Sequence, residues 1–323
     1  MKVMMAYKSP STGPIETSTL CSPCTESKRG LSRRRLILAA SASVGVSSAL
    51  AAIAIRIPGR NPSPASIPAN PYEQVVPEKG INTGVVFGDA IQKVIGAGAL
   101  DPAKLRAQTY ALPHWVERLL AGPSQEPIVL TRESAPYLVN LLWPLGLSNR
   151  AVFNRKSPIN TADLSGFAST GGWTLGRAPN GSAYFNAVDV VPLTDRQAFL
   201  ALAVATNTYR PCCDNNTFFQ DCNHGSALLG LIELAASQGL SADAIYRVAL
   251  AANSYWFPER YARTAQYFSQ STGHSWRSVS ASLILDADYS SLTGWRRRVD
   301  EPLRRADILL PPDPHASAAS CGL

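Results

Sequence analysis

Residues 194–258 read TDRQAFLALAVATNTYRPCCDNNTFFQDCNHGSALLGLIELAASQGLSADAIYRVALAANSYWFP, and this stretch decides the fold class. It opens with Thr194-Asp195-Arg196-Gln197. The Thr hydroxyl can accept from the amide three residues on, and the Gln can reach back to the first amide, which makes a capping box. Phe199, Leu202, Ala203 and Thr206 then recur at helical spacing and predict a helix buried on that face. Residues 223–238 are apolar almost throughout and stop at Gly239, a residue suited to the left-handed end of a helix. Ser241 caps the next helix, with Ile245, Val248, Ala249 and Ala252 on one side, and Pro258 can open another. Successive helices with short connections predict a mainly α, single helical domain.

Helix signals continue upstream. Asp101-Pro102 pairs an N-cap with a proline at the first helical position. Residues 113–121 form a second helix stopped by Gly122, and residues 134–143 a third, expected to close before Pro144. Between 155 and 190 the helical period lapses. Gly166-Phe167-Ala168-Ser169-Thr170-Gly171-Gly172-Trp173 reads as a turn region, with a pocket lining as the second reading. It lacks the Lys-Ser/Thr of a phosphate-binding loop and the spacing of a dinucleotide fingerprint. Residues 183–191 are the candidate for a small β element. No internal repeat at a fixed period is present.

The organisation that follows is a targeting or anchor segment over 1–55, a Pro-rich spacer over 56–80, a helical domain over 81–312 and a flexible tail over 313–323. Prolines 58, 62, 64, 68, 71 and 77 make the spacer extended. Removing the N-terminal segment leaves about 240–270 of the 323 residues, enough to bury about three quarters of their unfolded surface without help from metals or disulfides. A hydrophobic share of 46% with 16% charged residues argues against disorder and against a many-span membrane protein.

The net charge of +7 is unevenly placed. Residues 1–35 hold seven Lys and Arg against Glu16 and Glu26, so they carry +5 and leave only +2 to the other 288 residues. Nucleic acid is therefore not an expected partner. A second basic cluster, Arg296, Arg297, Arg298, Arg304 and Arg305, is interleaved with Asp300, Glu301 and Asp307 and reads as a solvated helix face.

Within the N-terminal segment, Ser32-Arg33-Arg34-Arg35-Leu36-Ile37-Leu38 leads into a run without charge up to Ile55. A basic region before an apolar one is a signal layout, and the Ser-Arg-Arg-x-Leu-Ile pattern resembles the twin-arginine (Tat) signal. Ala49-Leu50-Ala51 and Ala52-Ile53-Ala54 are small-residue cleavage candidates. The resemblance implies the twin-arginine export machinery as a partner and a periplasmic or extracellular destination. It also implies export after folding, often with a cofactor acquired beforehand. The alternative is an uncleaved membrane anchor over residues 36–55, since about 20 apolar residues can span a bilayer. The Ala, Ser and Gly content favours a signal.

Six cysteines stand at 21, 24, 212, 213, 222 and 321. Cys21 and Cys24 precede the twin arginines, and Thr25 stands where c-type haem attachment needs His. Cys321 belongs to an Ala/Ser-rich end. That leaves Cys212, Cys213, Cys222 and His224 within 13 residues. Three thiolates and an imidazole suit a metal ion, Zn²⁺ foremost, with Cu(I) or iron in a sulfur-rich (iron-sulfur) setting also suited. Cys222 and His224 fall at a helix start, where free N–H groups favour thiolate. Asp221 is expected to orient His224 or cap that helix. Four protein ligands would close the site, and three would leave a position open.

Two other readings compete. A disulfide from Cys222 to Cys212 or Cys213 would contribute roughly 2–3 kcal/mol, and an oxidising destination favours it. A Cys212–Cys213 bridge is disfavoured, because adjacent Cα atoms about 3.8 Å apart lie below the usual disulfide range. Thiol catalysis, with His224 as base, ranks third. His114 reads as a surface histidine, and His274 as a loop histidine that can complete the site from a distance. Tyr255, Trp256, Phe257, Tyr261, Tyr267 and Phe268 read as core.

Overall fold

Residues 70–315, apart from 110, 162 and 168–174, are described by a computed structural model. The twin-arginine segment, Cys21, Cys24, the spacer before Asn70, residues 168–174 of the Gly/Ser/Thr loop and Cys321 lie outside the described residues.

The chain is mainly α with one small antiparallel sheet. Strand β1 (Ile81–Gly88) is followed by helices α1 (Ala90–Gly96), α2 (Pro102–Ala107) and α3 (His114–Ala121), and then by β2 (Ser124–Leu130). Ile81 lies opposite Leu130, and Gly88 opposite Ser124. Helices α4 (Ser134–Ser148), α5 (Asp195–Thr206), α6 (Asn223–Ser237), α7 (Ala242–Trp256) and α8 (Pro258–Thr272) make the body, with short helices continuing to Arg305. Among the described residues no helix is long and apolar enough to cross a membrane.

The caps behave as their chemistry requires. Asp101 accepts from the Ala103 amide at 2.9 Å ahead of Pro102. Thr194 and Gln197 close both halves of their capping box, and Ser241 accepts from Ala244. Helix α6 is the central element. It is buried from His224 to Ala236 and packs against α4, α5 and α7.

The α4–α6 crossing is built on glycine. A Cβ at Gly146 would sit 2.0 Å from the Ser226 carbonyl oxygen, and one at Gly230 would sit 2.8 Å from the Leu142 carbonyl oxygen. The two backbones touch because neither residue has a side chain.

Four local expectations are corrected. Helix α4 does not close before Pro144 but runs through it to Ser148. Pro144 removes one helical hydrogen bond, yet residues 138–148 are all buried, and that packing outweighs the loss. The predicted inner face of α5 is not the buried one. Phe199 is 74% exposed, while Ala198, Ala201, Val204 and Ala205 face inward, because small side chains let α5 approach α6 closely. The β element is not at 183–191: Asn186 takes a left-handed conformation there, and only an isolated bridge joins Val188 to Asn149. The body also reaches back beyond Gly80. Tyr72, Val75 and Val76 are buried in the core, and the Tyr255 hydroxyl donates to the Pro77 carbonyl at 2.7 Å.

The basic cluster near the C-terminus is a surface, as expected. Arg297 and Arg298 pair with Asp288, Arg304 with Asp300 and Arg305 with Glu301. Glu233 is different, being fully buried in α6. Burial holds its carboxyl well above the ordinary range, and Asn149 offsets this only in part.

Two predictions follow from these positions. Gly146→Ala should cost at least about 2 kcal/mol in urea unfolding, because helix backbone must move to admit the methyl. Gly96→Ala, where a Cβ would meet nothing within 4 Å, should be neutral or slightly stabilising. For Glu233 the folded state keeps a proton that the unfolded chain releases above about pH 4.3, so its contribution is full below that pH and lost as pH rises. Glu233→Gln should remove this loss, gaining about 1.4 kcal/mol per pH unit relative to wild type from about pH 4.3 until the raised pKa of the folded state is passed, where the gain levels off. Equal pH profiles for the two proteins would refute it.

Candidate metal centre

The loop between α5 and α6 is a closed turn. The Thr217 amide donates to the Thr208 carbonyl at 2.8 Å, and Thr217 Oγ1 donates to the same oxygen at 2.8 Å. Asn216 Nδ2 reaches back to the Thr206 carbonyl at 3.1 Å. Outer contacts tie the loop to the C-terminal helices: the Tyr209 amide donates to Leu285 and the Leu292 amide to Cys213, both to carbonyls.

Inside this loop the two ends of the cysteine motif meet. Cys212 Sγ lies 3.8 Å from Cys222 Sγ and 3.9 Å from Cys213 Sγ. The ligand atoms of Cys212, Cys222 and His224 all lie within 4.8 Å of one another, an arrangement that could hold a metal ion. Cys213 is next to this group without belonging to it. Among the described residues no disulfide joins Cys212, Cys213 or Cys222. A disulfide bond of about 2.05 Å would require Cys212 and Cys222 to close by well over 1 Å. A tetrahedral ion with sulfur at about 2.3 Å has an edge of about 3.8 Å, which matches the spacing observed.

Cys222 is itself the N-cap of α6, its Sγ accepting from the Gly225 amide at 3.4 Å. The expectation for Asp221 is thereby corrected: it neither caps the helix nor orients His224. It pairs with Arg210 and accepts from Asn215 Nδ2 at 2.6 Å. The His224 ring is buried between Trp256 and Phe257, with centroids 5.7 and 4.9 Å away. Burial lowers the pKa of His224, and so does the Arg210 charge, while Cys222 opposes them. A neutral imidazole is the form that ligates.

Arg210 is the residue that sequence reasoning missed. Its side chain is 0% exposed. Nη1 donates to the Asn216 and Phe219 carbonyls at 2.6 and 3.2 Å, and Nη2 donates to Cys213 Sγ at 3.2 Å and to Asp221. Burial alone would lower its pKa, but the charges of Cys222, Cys213, Cys212 and Asp221 raise it well above the ordinary value. Gly225 makes room for it, since a Cβ there would sit 2.8 Å from the guanidinium carbon. The available signal was an arginine two residues before a cysteine pair, where a buried cation favours thiolate.

Cys213 responds differently. The hydrogen bond with Cys212 pulls its pKa down, but the bond with Cys222 and burial outweigh this and push it up to about 11. Among the other candidates, His114 and His274 are exposed, and His274 Nδ1 contacts Thr272 Oγ1 at 2.9 Å instead of completing the site. Of the aromatic group, Trp256 and Phe257 are core residues that also wall the histidine. Phe167 packs edge-on against Phe219 of the cysteine loop at 5.6 Å. Compared with protein families, curated proteins and solved structures, the chain finds no match.

Arg210→Met should destabilise the protein by about 3–5 kcal/mol, because it leaves the Asp221 carboxylate largely buried without its cation. Adding Asp221→Asn should recover a substantial part of that loss. Equilibrium unfolding of the two single variants and the double variant tests this, and strictly additive losses would refute it.

Proposed function

We propose that the protein is an exported helical metalloprotein that binds a soft metal ion, Zn²⁺ foremost, through Cys212, Cys222 and His224. The single observation that carries this reading is the convergence of those three ligand atoms within 4.8 Å at the start of α6. The 3.8 Å sulfur spacing supports it, being the edge of a tetrahedral site. The donor set is also compatible with Cu(I), because soft thiolates suit either ion.

Cys213 accepts from Arg210 and lies outside the cluster, so the set that would hold the ion has three protein donors. An ion held by three protein donors would supply a Lewis acid able to take a further donor from solvent or a substrate. The protein residues supply the rest. Arg210 balances thiolate charge, Trp256 and Phe257 exclude water from the imidazole, and the helix N-terminus stabilises the Cys222 thiolate.

The twin-arginine pattern at 32–38 supports export and fits a protein that folds around its metal before crossing a membrane. The competing reading is a non-catalytic exported protein whose Cys212 and Cys222 close a disulfide, favoured by the same sulfur contact.

Protein purified without added metal should contain about one equivalent of zinc or copper and three titratable thiols in the 212–222 loop. Cys222→Ser and His224→Asn should each lose the metal. Metal affinity should weaken as pH falls, since protons compete for thiolate and imidazole. Protein with no metal and with two of the clustered thiols oxidised would overturn this reading in favour of the disulfide.

A further inference from the structure

A cleft of about 780 Å³ lies between α7 and residues 276–282, on the face where residues 74–81 cross the body. Its volume is in the range that takes a small molecule. The floor is apolar, formed by Val75, Leu250 and Ala251 with the Trp276 ring. Two guanidinium groups stand at its rim, Arg247 from α7 and Arg277 from the turn Trp276–Ser278. Among the described residues neither is in an ion pair, although Asp243 lies one helical turn from Arg247 on the same cleft. The lining thus carries two fixed cations against one carboxylate.

We propose that this cleft binds an amphipathic organic monoanion, with its acidic head between Arg247 and Arg277 and its apolar body on Trp276 and Leu250. A planar guanidinium matches a carboxylate, sulfonate or phosphate head, which gives the site its charge selectivity. The apolar floor selects an aromatic or alicyclic body over a small inorganic anion. The site is separate from the cysteine cluster and does not depend on the metal reading.

The probe is 8-anilinonaphthalene-1-sulfonate, followed by its fluorescence on the intact protein, with the uncharged N-phenyl-1-naphthylamine as comparison. The sulfonate should bind saturably at one site per chain, and its affinity should fall as NaCl is raised. Arg247→Gln and Arg277→Gln should each weaken binding about tenfold, and the double variant more, without change in metal content or far-UV circular dichroism. The uncharged amine should bind more weakly than the sulfonate. Undiminished sulfonate binding in the double variant would overturn the proposal. So would equal binding of the two dyes, binding that does not saturate, or wild-type affinity that is insensitive to salt.

Discussion

Helix α6 can lie where it does only because Gly146 and Gly230 let it touch α4 backbone to backbone. The close approach brings dispersion contacts along both helices and leaves no space between them for water. It also places α6 at the centre, covered by α4, α5 and α7. The helix is almost wholly apolar, so it has no face to offer solvent and depends on that cover. The one carboxyl it carries inward, Glu233, is consequently held in its protonated form.

The candidate site inherits its rigidity from this arrangement. Cys222 and His224 belong to the first turn of a helix that cannot shift without disturbing the crossing. Cys212 arrives from the other side on a loop whose shape is set by Arg210, which bonds two loop carbonyls, a thiol and a carboxylate at once. A buried ion pair of this kind is weak evidence for stability, because both charges lose hydration. Its more certain effect is geometric, in holding ten residues of loop so that sulfurs at positions 212 and 222 meet. Two thiols, an imidazole and a compensating cation are thereby gathered in one place.

The same features explain which expectations held. Caps depend on neighbours three or four residues away, so Asp101, Thr194 and Ser241 could be read directly. The convergence of Cys212, Cys222 and His224 was legible because a short loop between two strongly predicted helices limits how far its ends can separate. Asp221 was misread because its partner, Arg210, is eleven residues away and meets it only through the folded loop. The inner face of α5 was misread because hydrophobicity favours Phe199, whereas the packing distance to α6 favours alanine. The strand expected at 183–191 had suitable residues but no neighbouring strand edge on which to pair.

By itself, then, the sequence determined what local chemistry can determine: a helical domain, the starts of its helices, and a concentration of soft ligands at one helix start. Tertiary structure decided what depends on distance between remote residues. It carried α4 through Pro144, brought Tyr72, Val75 and Val76 into the core, and buried Arg210 beside the sulfurs while leaving Cys213 next to the three-donor group. The physical reason is common to all of these. Packing and burial energies are summed over contacts that no window of sequence contains, and they exceed the local preferences they override.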